Sequence, residues 1–543
     1  MNLTGIFRAF SNFFLNKIDK EYISFNKRIF GEKFKTNKYL LYEINWRETS
    51  IIASSFLLQN LSKRHKAKIY CFSPNLIQTF SDKFKLLLFK LLNYKIYKIN
   101  NSIGVDKYIY PILNNDQNNK AKKLFLELKK KINSKKNIIN LKYYNIYFGD
   151  LLYDYHLRVH GVPTIELNSE KFFKDLNYFC QLIIFWSNFV YKNKKKIKSI
   201  LIGHSCYHHG ILPRICLSNN ISSYEASTEY IFSHKKNNFY SFKDWDHSFN
   251  QFRILNNKKK KHLSSLGKKI LNQRFKGKNN RKQTFMIWTS KYSTYTKTKN
   301  TNFFYKTNNK KLIIFAHCFY DNPHVYGKNF FADFYEWMEF LGKKSNINKK
   351  IDWYIKKHPG GLPGNDEIFK KFSKSFPRLN ILPKNITNYD LIKRGFDYAT
   401  TMYGNIGYEL AFHEIPVIYA TTNNPTSNYK FNFQVKNLKQ YDYYISNPEK
   451  MKIKFDKNKI SEYFISKFAF QDNNVFFSEK NNIEIEKHYS IDQNLMTNIG
   501  FKNFLENIDE KKLSHINDKI NKFIYSNKFR LDKTYDDLFA KKY

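Results

Sequence analysis

Cysteine is scarce in this 543-residue chain, and its few cysteines follow no recognisable pattern. Their number is odd and no two have the CxxC spacing, which argues against a disulfide framework. We therefore expect reduced thiols in a cytosolic compartment. The cysteines are Cys71, Cys180, Cys206, Cys216 and Cys318.

Long apolar runs are also lacking. The most apolar window, residues 176–191, holds about 16 residues, whereas a membrane-spanning helix needs roughly 20. The N-terminal segment has phenylalanines at helical spacing but no uninterrupted apolar core and no small-residue cleavage site, so we expect no signal peptide. The sequence predicts a cytoplasmic protein and leaves open a peripheral position on the inner face of the cytoplasmic membrane.

Acidic residues and arginine are few. The chain has 93 basic and 45 acidic residues, a formal net charge of +48, which usually indicates nucleic acid or an anionic membrane as partner. Only 12 of the basic residues are arginine, and no RNA-recognition or helix-turn-helix pattern occurs, so we predict no nucleic-acid partner. Lysine runs at 192–198 and 256–262 keep an anionic membrane surface as a candidate contact.

The common phosphate-binding and metal-binding motifs are missing. No GxxxxGK[ST] and no complete GxGxxG occurs, which argues against phosphate-loop ATPases and dinucleotide enzymes. The residues His204, Cys206, His208 and His209 form one cluster, whereas structural zinc sites usually draw ligands from two. We therefore predict no metal and no cofactor.

Short apolar runs alternate with segments of helical period. This alternation predicts parallel sheets covered by helices. The runs in the first half are 38–44, 67–73, 145–150 and 198–205, and those in the second half are 311–317, 351–359, 379–383 and 397–403.

A stretch poor in large aliphatic residues separates the two halves. Residues 256–285 are rich in lysine, asparagine and glycine, which is typical of a linker. We predict an α/β protein with two Rossmann-like domains that face a cleft, at 1–255 and 286–490. Residues 491–543 are predicted to form helices that pack back across them.

A glycine-rich turn, YGNIGYE, follows one predicted strand of the second half. Gly404, Asn405 and Gly407 would permit a sharp turn and the close approach of a phosphate, and free N–H groups at a helix start favour an anion. Glu409, one turn into the helix, could accept hydrogen bonds from ribose hydroxyls. The alternative is an ordinary turn with an exposed glutamate.

Two further strand ends carry polar residues. Lys357, His358 and Pro359 stand where an apolar strand stops, and the proline would hold the histidine toward the cleft. His317 and Asp321 follow the first strand of the same predicted sheet. Each histidine could donate to a phosphate oxygen or only to a loop carbonyl, but the convergence of three strand ends favours a phosphate-compatible site.

These motifs resemble the C-terminal domain of bacterial capsule and surface-polysaccharide glycosyltransferases with the GT-B fold. The likeness covers roughly residues 310–420 and consists of the HP motif and the G-x-x-G-x-E helix segment. It implies that His358 and Pro359 hold a nucleotide and that the turn from Tyr403 onward holds its phosphates and ribose. The second domain would then bind the nucleotide sugar and the first would bind the acceptor.

The first half offers candidates for a catalytic base. Asp150, Asp154 and Arg158 follow one another at i, i+4 steps along one predicted helix face. A carboxylate there could deprotonate an acceptor hydroxyl, and Arg158 could anchor an acidic acceptor; a surface ladder of salt bridges is the alternative. His204, at another strand end, is a third candidate base, and Arg214 in the next helix is a candidate substrate contact.

The leading prediction is a metal-independent glycosyltransferase. It would move a hexose, Kdo or a related sugar from a nucleotide donor to a capsular or lipopolysaccharide-type glycan, free or lipid-linked. One alternative is transfer of a polyol phosphate from a CDP-linked donor by a similar fold. The other is a non-enzymatic basic protein that binds nucleic acid or membranes.

Overall fold

Two parallel β-sheets organise the protein, one in each half of the chain. The computed structural model describes residues 14–77, 94–276, 303–358, 362–478 and 498–539, and a few positions between 84 and 91 and between 480 and 485. The strands in these ranges are β1 (Tyr39–Glu43), β2 (Lys68–Phe72), β3 (Val105–Ile109), β4 (Lys142–Tyr143), β5 (Ile146–Tyr147), β6 (Ile197–Ile202), β7 (Ser222–Ser227), β8 (Tyr230–Ser233), β9 (Lys310–Phe315), β10 (Ile351–Lys356), β11 (Leu379–Ile381), β12 (Tyr398–Thr401) and β13 (Val417–Tyr419).

Helices fill the intervals between the strands and cover both sheets. Within the described ranges none of them is long and apolar enough to cross a lipid bilayer. The helices are α1 (Lys17–Phe30), α2 (Glu48–His65), α3 (Tyr94–Ser102), α4 (Asn115–Lys131), α5 (Lys135–Ile139), α6 (Gly149–His160), α7 (Glu170–Asn193), α8 (Ile211–Ser218), α9 (Trp245–Arg253), α10 (Asn257–Phe275), α11 (Phe334–Ile347), α12 (Asn365–Ser375), α13 (Asn388–Arg394), α14 (Ile406–Phe412), α15 (Leu438–Ser446), α16 (Lys457–Phe464), α17 (Ile499–Leu505), α18 (Glu510–Ser526) and α19 (Tyr535–Phe539).

Both sheets have the strand order of a Rossmann fold. The first sheet runs β3-β2-β1-β6-β7-β8, and only its edge strand β8 is antiparallel. The second runs β11-β10-β9-β12-β13 and is parallel throughout. In each sheet the order reverses beside the first strand, between β1 and β6 and between β9 and β12. Ligands of such sheets bind outside the carboxyl ends of the strands at this switch point.

One inner strand of each sheet is buried along its whole length. Every residue of β1 and of β10 is buried, because helices lie on both faces of each sheet. This explains why the sequence shows continuous apolar runs at these positions and no alternation. The predicted fold class, a GT-B-like α/β arrangement of two Rossmann-like sheets, is confirmed by the two strand orders.

The helices at the end of the chain pack back on the first sheet, as predicted. The buried carboxylate of Glu48 in α2 accepts hydrogen bonds from the backbone N–H groups of Asn498, Gly500 and Phe501, at 2.5, 2.7 and 3.3 Å. The ring of Phe501 stacks on Tyr22 with a centroid distance of 4.0 Å. The last residues of the chain thus complete the hydrophobic core of its first half.

Some local predictions differ from the structure. Residues 145–150 were predicted as a buried parallel strand, but Ile146–Tyr147 pairs only with Lys142–Tyr143 in a short antiparallel hairpin. Strands β3, β7 and β8 escaped prediction because their sequences, VDKYI, SSYEAS and YIFS, are polar or short. The first part of the predicted linker is helix α10, and 277–302 lies outside the described residues. The domain limits stay a prediction.

Candidate active-site cleft

A cleft of about 270 Å³ lies between the two halves at the carboxyl ends of their strands. Three histidines line it: His204 follows β6 of the first sheet, and His317 and His358 follow β9 and β10 of the second. The cleft therefore has walls from both sheets. Its lining residues are His204, Phe242, His317, Cys318, Asp321, Asn322, Val325, Tyr326, Phe334, His358 and Tyr403.

His317 lies at the switch point of the second sheet. The hydroxyl of Thr401 in β12 donates to the carbonyl oxygen of Phe315 at 3.1 Å and lies 3.2 Å from Nε2 of His317. Because the only proton of that hydroxyl is already donated, the imidazole must supply the proton, so Nε2 is protonated and Nδ1 carries the lone pair. Burial, and then the charge of His358, lower the pKa of His317 to about 3, so it is neutral at pH 7.

His358 is the second imidazole of this wall. Burial lowers its pKa, although the carboxylate of Asp321 acts in the opposite direction. A neutral imidazole can donate one N–H to a ligand oxygen without carrying a charge into the cleft. Lys357 was predicted to contact the nucleotide together with His358, but it donates a hydrogen bond to Asp366 at 2.7 Å and does not line the cleft. Pro359, the other predicted neighbour, lies outside the described residues.

His204 closes the cleft from the first sheet. Its Nδ1 accepts a hydrogen bond from the backbone N–H of Cys206 at 3.0 Å. The neutral ring therefore carries its proton on Nε2, which makes it a hydrogen-bond donor toward a ligand. Burial lowers the pKa of His204. His204 was predicted as a catalytic base, but this tautomer suits a hydrogen-bond donor better, and its role in the site stays a prediction.

Asp321 is the only carboxylate among the described residues that line the cleft. Its side chain is 51% exposed, and one oxygen lies 3.9 Å from the guanidinium of Arg158. Arg158 in turn is 37% exposed, so it stands at the rim and can meet a ligand from solvent. No lysine or arginine appears among the lining residues in the described ranges. A ligand's negative charge would meet imidazole N–H donors there, and a cation only at the rim.

The other predicted bases do not reach the cleft. The carboxylate of Asp150 accepts two hydrogen bonds from Arg214, at 2.6 and 2.9 Å, and one from the hydroxyl of Tyr240 at 2.8 Å. Burial opposes ionisation of Asp150, but Arg214 outweighs it and lowers the pKa. The prediction of a shared helix face was right. That face packs against protein, because a buried carboxylate must be paired.

Asp154 joins the two halves of the protein. Its carboxylate accepts from Nδ1 of His324 at 2.6 Å and from the backbone N–H of the same residue at 3.2 Å. The hydroxyl of the preceding residue, Tyr153, donates to Asp333 at 2.5 Å. Both contacts run from helix α6 to the segment between β9 and α11. Asp154 thus holds the wall of the cleft in place without lining it.

The glycine turn after β12 is used for packing. A Cβ atom on Gly407 would lie 1.8 Å from the hydroxyl oxygen of Tyr419, and one on Gly404 would lie 3.0 Å from that of Thr401. These glycines and Asn405 are not lining residues of the cleft. Tyr403 is one, and its hydroxyl is within hydrogen-bonding distance of the carbonyl oxygens of Asn322 and Pro323. The turn therefore brings a tyrosine to the site.

Glu409 also lies away from the cleft. Its carboxylate accepts from Arg274 of helix α10 at 2.8 Å and from the side-chain amide of Asn388 at 3.2 Å, and it is buried. The predicted contact with a ribose would require this ion pair to open. The structure places Glu409 in the joint between helices α10 and α14.

Five lining residues were not singled out from the sequence: Phe242, Asn322, Val325, Tyr326 and Phe334. The ring of Phe334 stacks on His317 at 4.8 Å, and Tyr326 meets Tyr403 edge-on at 4.6 Å. Asn322 has a left-handed backbone, φ 51°, in the sequence DNPH. An asparagine before a proline is a turn signal that could have marked this loop.

A histidine–aspartate cluster away from the cleft is hydrogen-bonded. One carboxylate oxygen of Asp175 lies 2.6 Å from Nδ1 of His156 and 3.0 Å from Nε2 of His160. Two ligand atoms on a tetrahedral zinc are about 3.3 Å apart, because each metal bond is about 2.0 to 2.1 Å long. The shorter contact is therefore a direct hydrogen bond. The cluster ties helix α6 to helix α7.

Comparison with known proteins adds little to this picture. No family model matches the chain, and no curated protein matches its sequence. Among solved structures, a glycosyltransferase from Rickettsia africae ESF-5 is similar at 10% identity and a TM-score of 0.23, over 87% of this chain and 100% of the other. A TM-score of this size carries no argument about activity. The description of the fold therefore rests on the strand orders and on the geometry of the cleft.

Proposed function

We propose that this protein is a glycosyltransferase that moves a sugar from a nucleotide-activated donor to a surface glycan of the capsular or lipopolysaccharide type. One observation carries the proposal. His204 from one Rossmann-like sheet and His317 and His358 from the other line the same cleft at the carboxyl ends of the strands. That is where nucleotide ligands bind in open α/β sheets.

The donor phosphate would lie against the wall formed by His317, His358 and Tyr403. Of these, His358 can donate an imidazole N–H to a phosphoryl oxygen as the sugar leaves, and His204 across the cleft supplies a second N–H. His317 and Tyr403 shape the wall, because the N–H of His317 is given to Thr401 and the hydroxyl of Tyr403 to backbone carbonyl oxygens. Preorganised donors in a site partly closed to water stabilise developing negative charge strongly, so such a reaction needs no metal ion in principle. Lys357, paired with Asp366, has no part in this scheme.

We assign the catalytic base to Asp321. Its carboxylate is in the cleft, whereas Asp150 and Asp154 are held by Arg214 and His324. In this step Asp321 takes the proton of an acceptor hydroxyl, and the hydroxyl oxygen bonds to the anomeric carbon. The bond from that carbon to the phosphate oxygen breaks, and the nucleotide leaves with its electron pair. Arg158 at the rim would orient Asp321 or meet an acidic acceptor.

The acceptor is proposed to be a glycan or a lipid-linked glycan, reached from the cytoplasmic side. The side of the cleft formed by the first sheet is open to it through His204. The excess of lysine suits a peripheral position at an anionic membrane.

Thermal-shift screening against CMP, CDP, UDP and GDP tests this proposal. A nucleotide at 100 times its dissociation constant stabilises the folded state by about 2.7 kcal/mol. At least one nucleotide is expected to raise the melting temperature, and a sugar linked to it should then be transferred. Stabilisation by none of them would contradict the proposal. If the protein instead transferred a polyol phosphate from a CDP-linked donor, it would be a polyol phosphotransferase and not a glycosyltransferase.

A further inference from the structure

An apolar stripe lies on the surface of the first half. Between residues 84 and 94 five large apolar or aromatic side chains are each 38% to 56% exposed. The described positions from 84 to 91 are helical, and four of these side chains follow the i, i+3, i+4, i+7 pattern that puts them on one helix face. We call these five residues the apolar stripe: Phe84, Leu87, Leu88, Leu91 and Tyr94.

The surroundings of the stripe are cationic. Residues 83–98, KFKLLLFKLLNYKIYK, contain five lysines and no acidic residue. One of the five, Lys95, is buried and paired with Asp19 at 2.9 Å, so it does not contribute to the surface charge. The ammonium of Lys90 lies 4.8 Å from the ring centroid of Tyr110, and that of Lys98 lies 4.8 Å from the ring centroid of Tyr94. Lysines whose ammonium groups lie over aromatic rings beside an apolar face are suited to the boundary between lipid tails and head groups.

The stripe stands next to the same sheet edge as the cleft. A pocket of about 280 Å³, lined by Leu86 and mostly apolar side chains, lies over the carboxyl ends of β1, β2 and β3. His209 lines this pocket, and its ring centroid is 6.5 Å from that of His204, which lines the cleft. A surface docked on the stripe would therefore have the cleft at its border.

We propose that the apolar stripe docks this protein on an anionic lipid bilayer. The apolar side chains would enter the head-group boundary, and the lysines around them would attract the lipid phosphates. Docking itself does not rest on the proposed transferase. The corollary does: an acceptor of this enzyme would be carried by the same bilayer and would enter the cleft from the side of His204.

Vesicle flotation with the full chain tests the docking. Vesicles of phosphatidylcholine are compared with vesicles that also contain about 30% phosphatidylglycerol, a charge density that attracts polybasic surfaces. The protein is expected to float with the anionic vesicles and to float less at high salt, because screening weakens the lysine contribution. Absence of the protein from the anionic vesicle fraction would overturn the proposal.

A pair of matched variants separates the stripe from the general positive charge. Leu87→Glu/Leu91→Glu should weaken vesicle binding by about ten-fold or more, because two apolar contacts are replaced by repelled charges. Ile254→Glu/Ile347→Glu makes the same change in charge at two exposed isoleucines elsewhere and should bind like the unmodified chain. Equal binding by the two variants would show attraction by net charge alone and would overturn the role of the stripe.

Two further measurements complete the design. Size-exclusion chromatography with light scattering should give the same mass for the unmodified chain and the stripe variant; a dimer that the variant abolishes would make the stripe a contact between two copies and overturn the proposal. The stripe variant should keep the nucleotide-induced thermal shift of the unmodified chain. Loss of docking and failure of the proposed transferase activity are thereby distinguishable.

Discussion

Arg274 donates a hydrogen bond to Glu409 across 2.8 Å, and both side chains are buried. The pair connects helix α10, which follows the first half of the chain, to helix α14, which lies between β12 and β13 in the second half. It therefore fixes the position of α10 on the second half. The sequence predicts that Glu409 contacts a ligand, but in the structure it holds two helices together.

Glu409→Gln should destabilise the protein by about 3 to 5 kcal/mol, because it leaves the guanidinium of Arg274 buried without its counter-charge. Urea unfolding measures the loss. The control is Glu127→Gln in an exposed i, i+4 pair with Lys131, where we expect no measurable change. The folded variant should still be stabilised by the nucleotide that binds the parent. Loss of that binding with full stability would instead support a direct contact between Glu409 and the nucleotide.

His358→Ala should abolish sugar transfer and the nucleotide-induced thermal shift, because it removes a donor from the wall of the cleft. The far-ultraviolet circular dichroism spectrum should stay unchanged. Lys357→Ala is the matched control: the neighbouring side chain is paired with Asp366 outside the cleft, so activity should remain near that of the parent. Full activity of the histidine variant would rule out the role given to His358.

Asp321→Asn should lower kcat by roughly 10²- to 10⁴-fold, the usual contribution of general base catalysis. The nucleotide-induced thermal shift should persist, because the amide occupies the same volume. Asp366→Asn offers a comparable change near the site but outside its lining and should leave kcat almost unaffected. If the Asp321 variant turned over as fast as the parent, Asp321 would not be the base and His204 would be the remaining candidate.

Acid should destabilise the protein partly through His317. Its pKa in the folded state is about 3, whereas the ordinary value is 6.5, so between these values only the unfolded chain takes up the proton. Stability contributed by neutral His317 is therefore complete above pH 6.5 and falls as the pH decreases toward 3, by up to about 1.4 kcal/mol per pH unit. Urea unfolding at pH 7 and pH 5 should show a smaller difference for His317→Gln than for the parent. An identical difference would contradict the assignment.

The sequence was sufficient for those parts of the fold that depend on hydrophobic burial. The largely buried strands β1, β2, β6, β9 and β10 appear as apolar runs, and such runs alternating with helical segments permit few architectures. The edge strand β8 and the polar strand β7 carry no such signal. Their place follows from pairing with strands distant in sequence.

The position of a candidate site residue follows from the sequence where the strand end alone decides it, while its function stays a prediction. His204, His317, His358 and Asp321 all come directly after strands or in the first loop beyond them, and all line the cleft. Side chains whose role depends on a partner were not predictable. Nothing near Glu409 in the sequence indicates Arg274, which is 135 positions away, and nothing near Gly407 indicates the hydroxyl of Tyr419.

The contact between Glu48 and the backbone of residues 498–501 has a consequence for biosynthesis. Helix α2 is synthesised some 450 positions before the first of the N–H groups that neutralise its buried carboxylate. Until those residues are made, this face of the nascent first half stays uncovered. The first half therefore cannot complete its folding as an independent unit, and it matures only after residues 498–501 have left the ribosome.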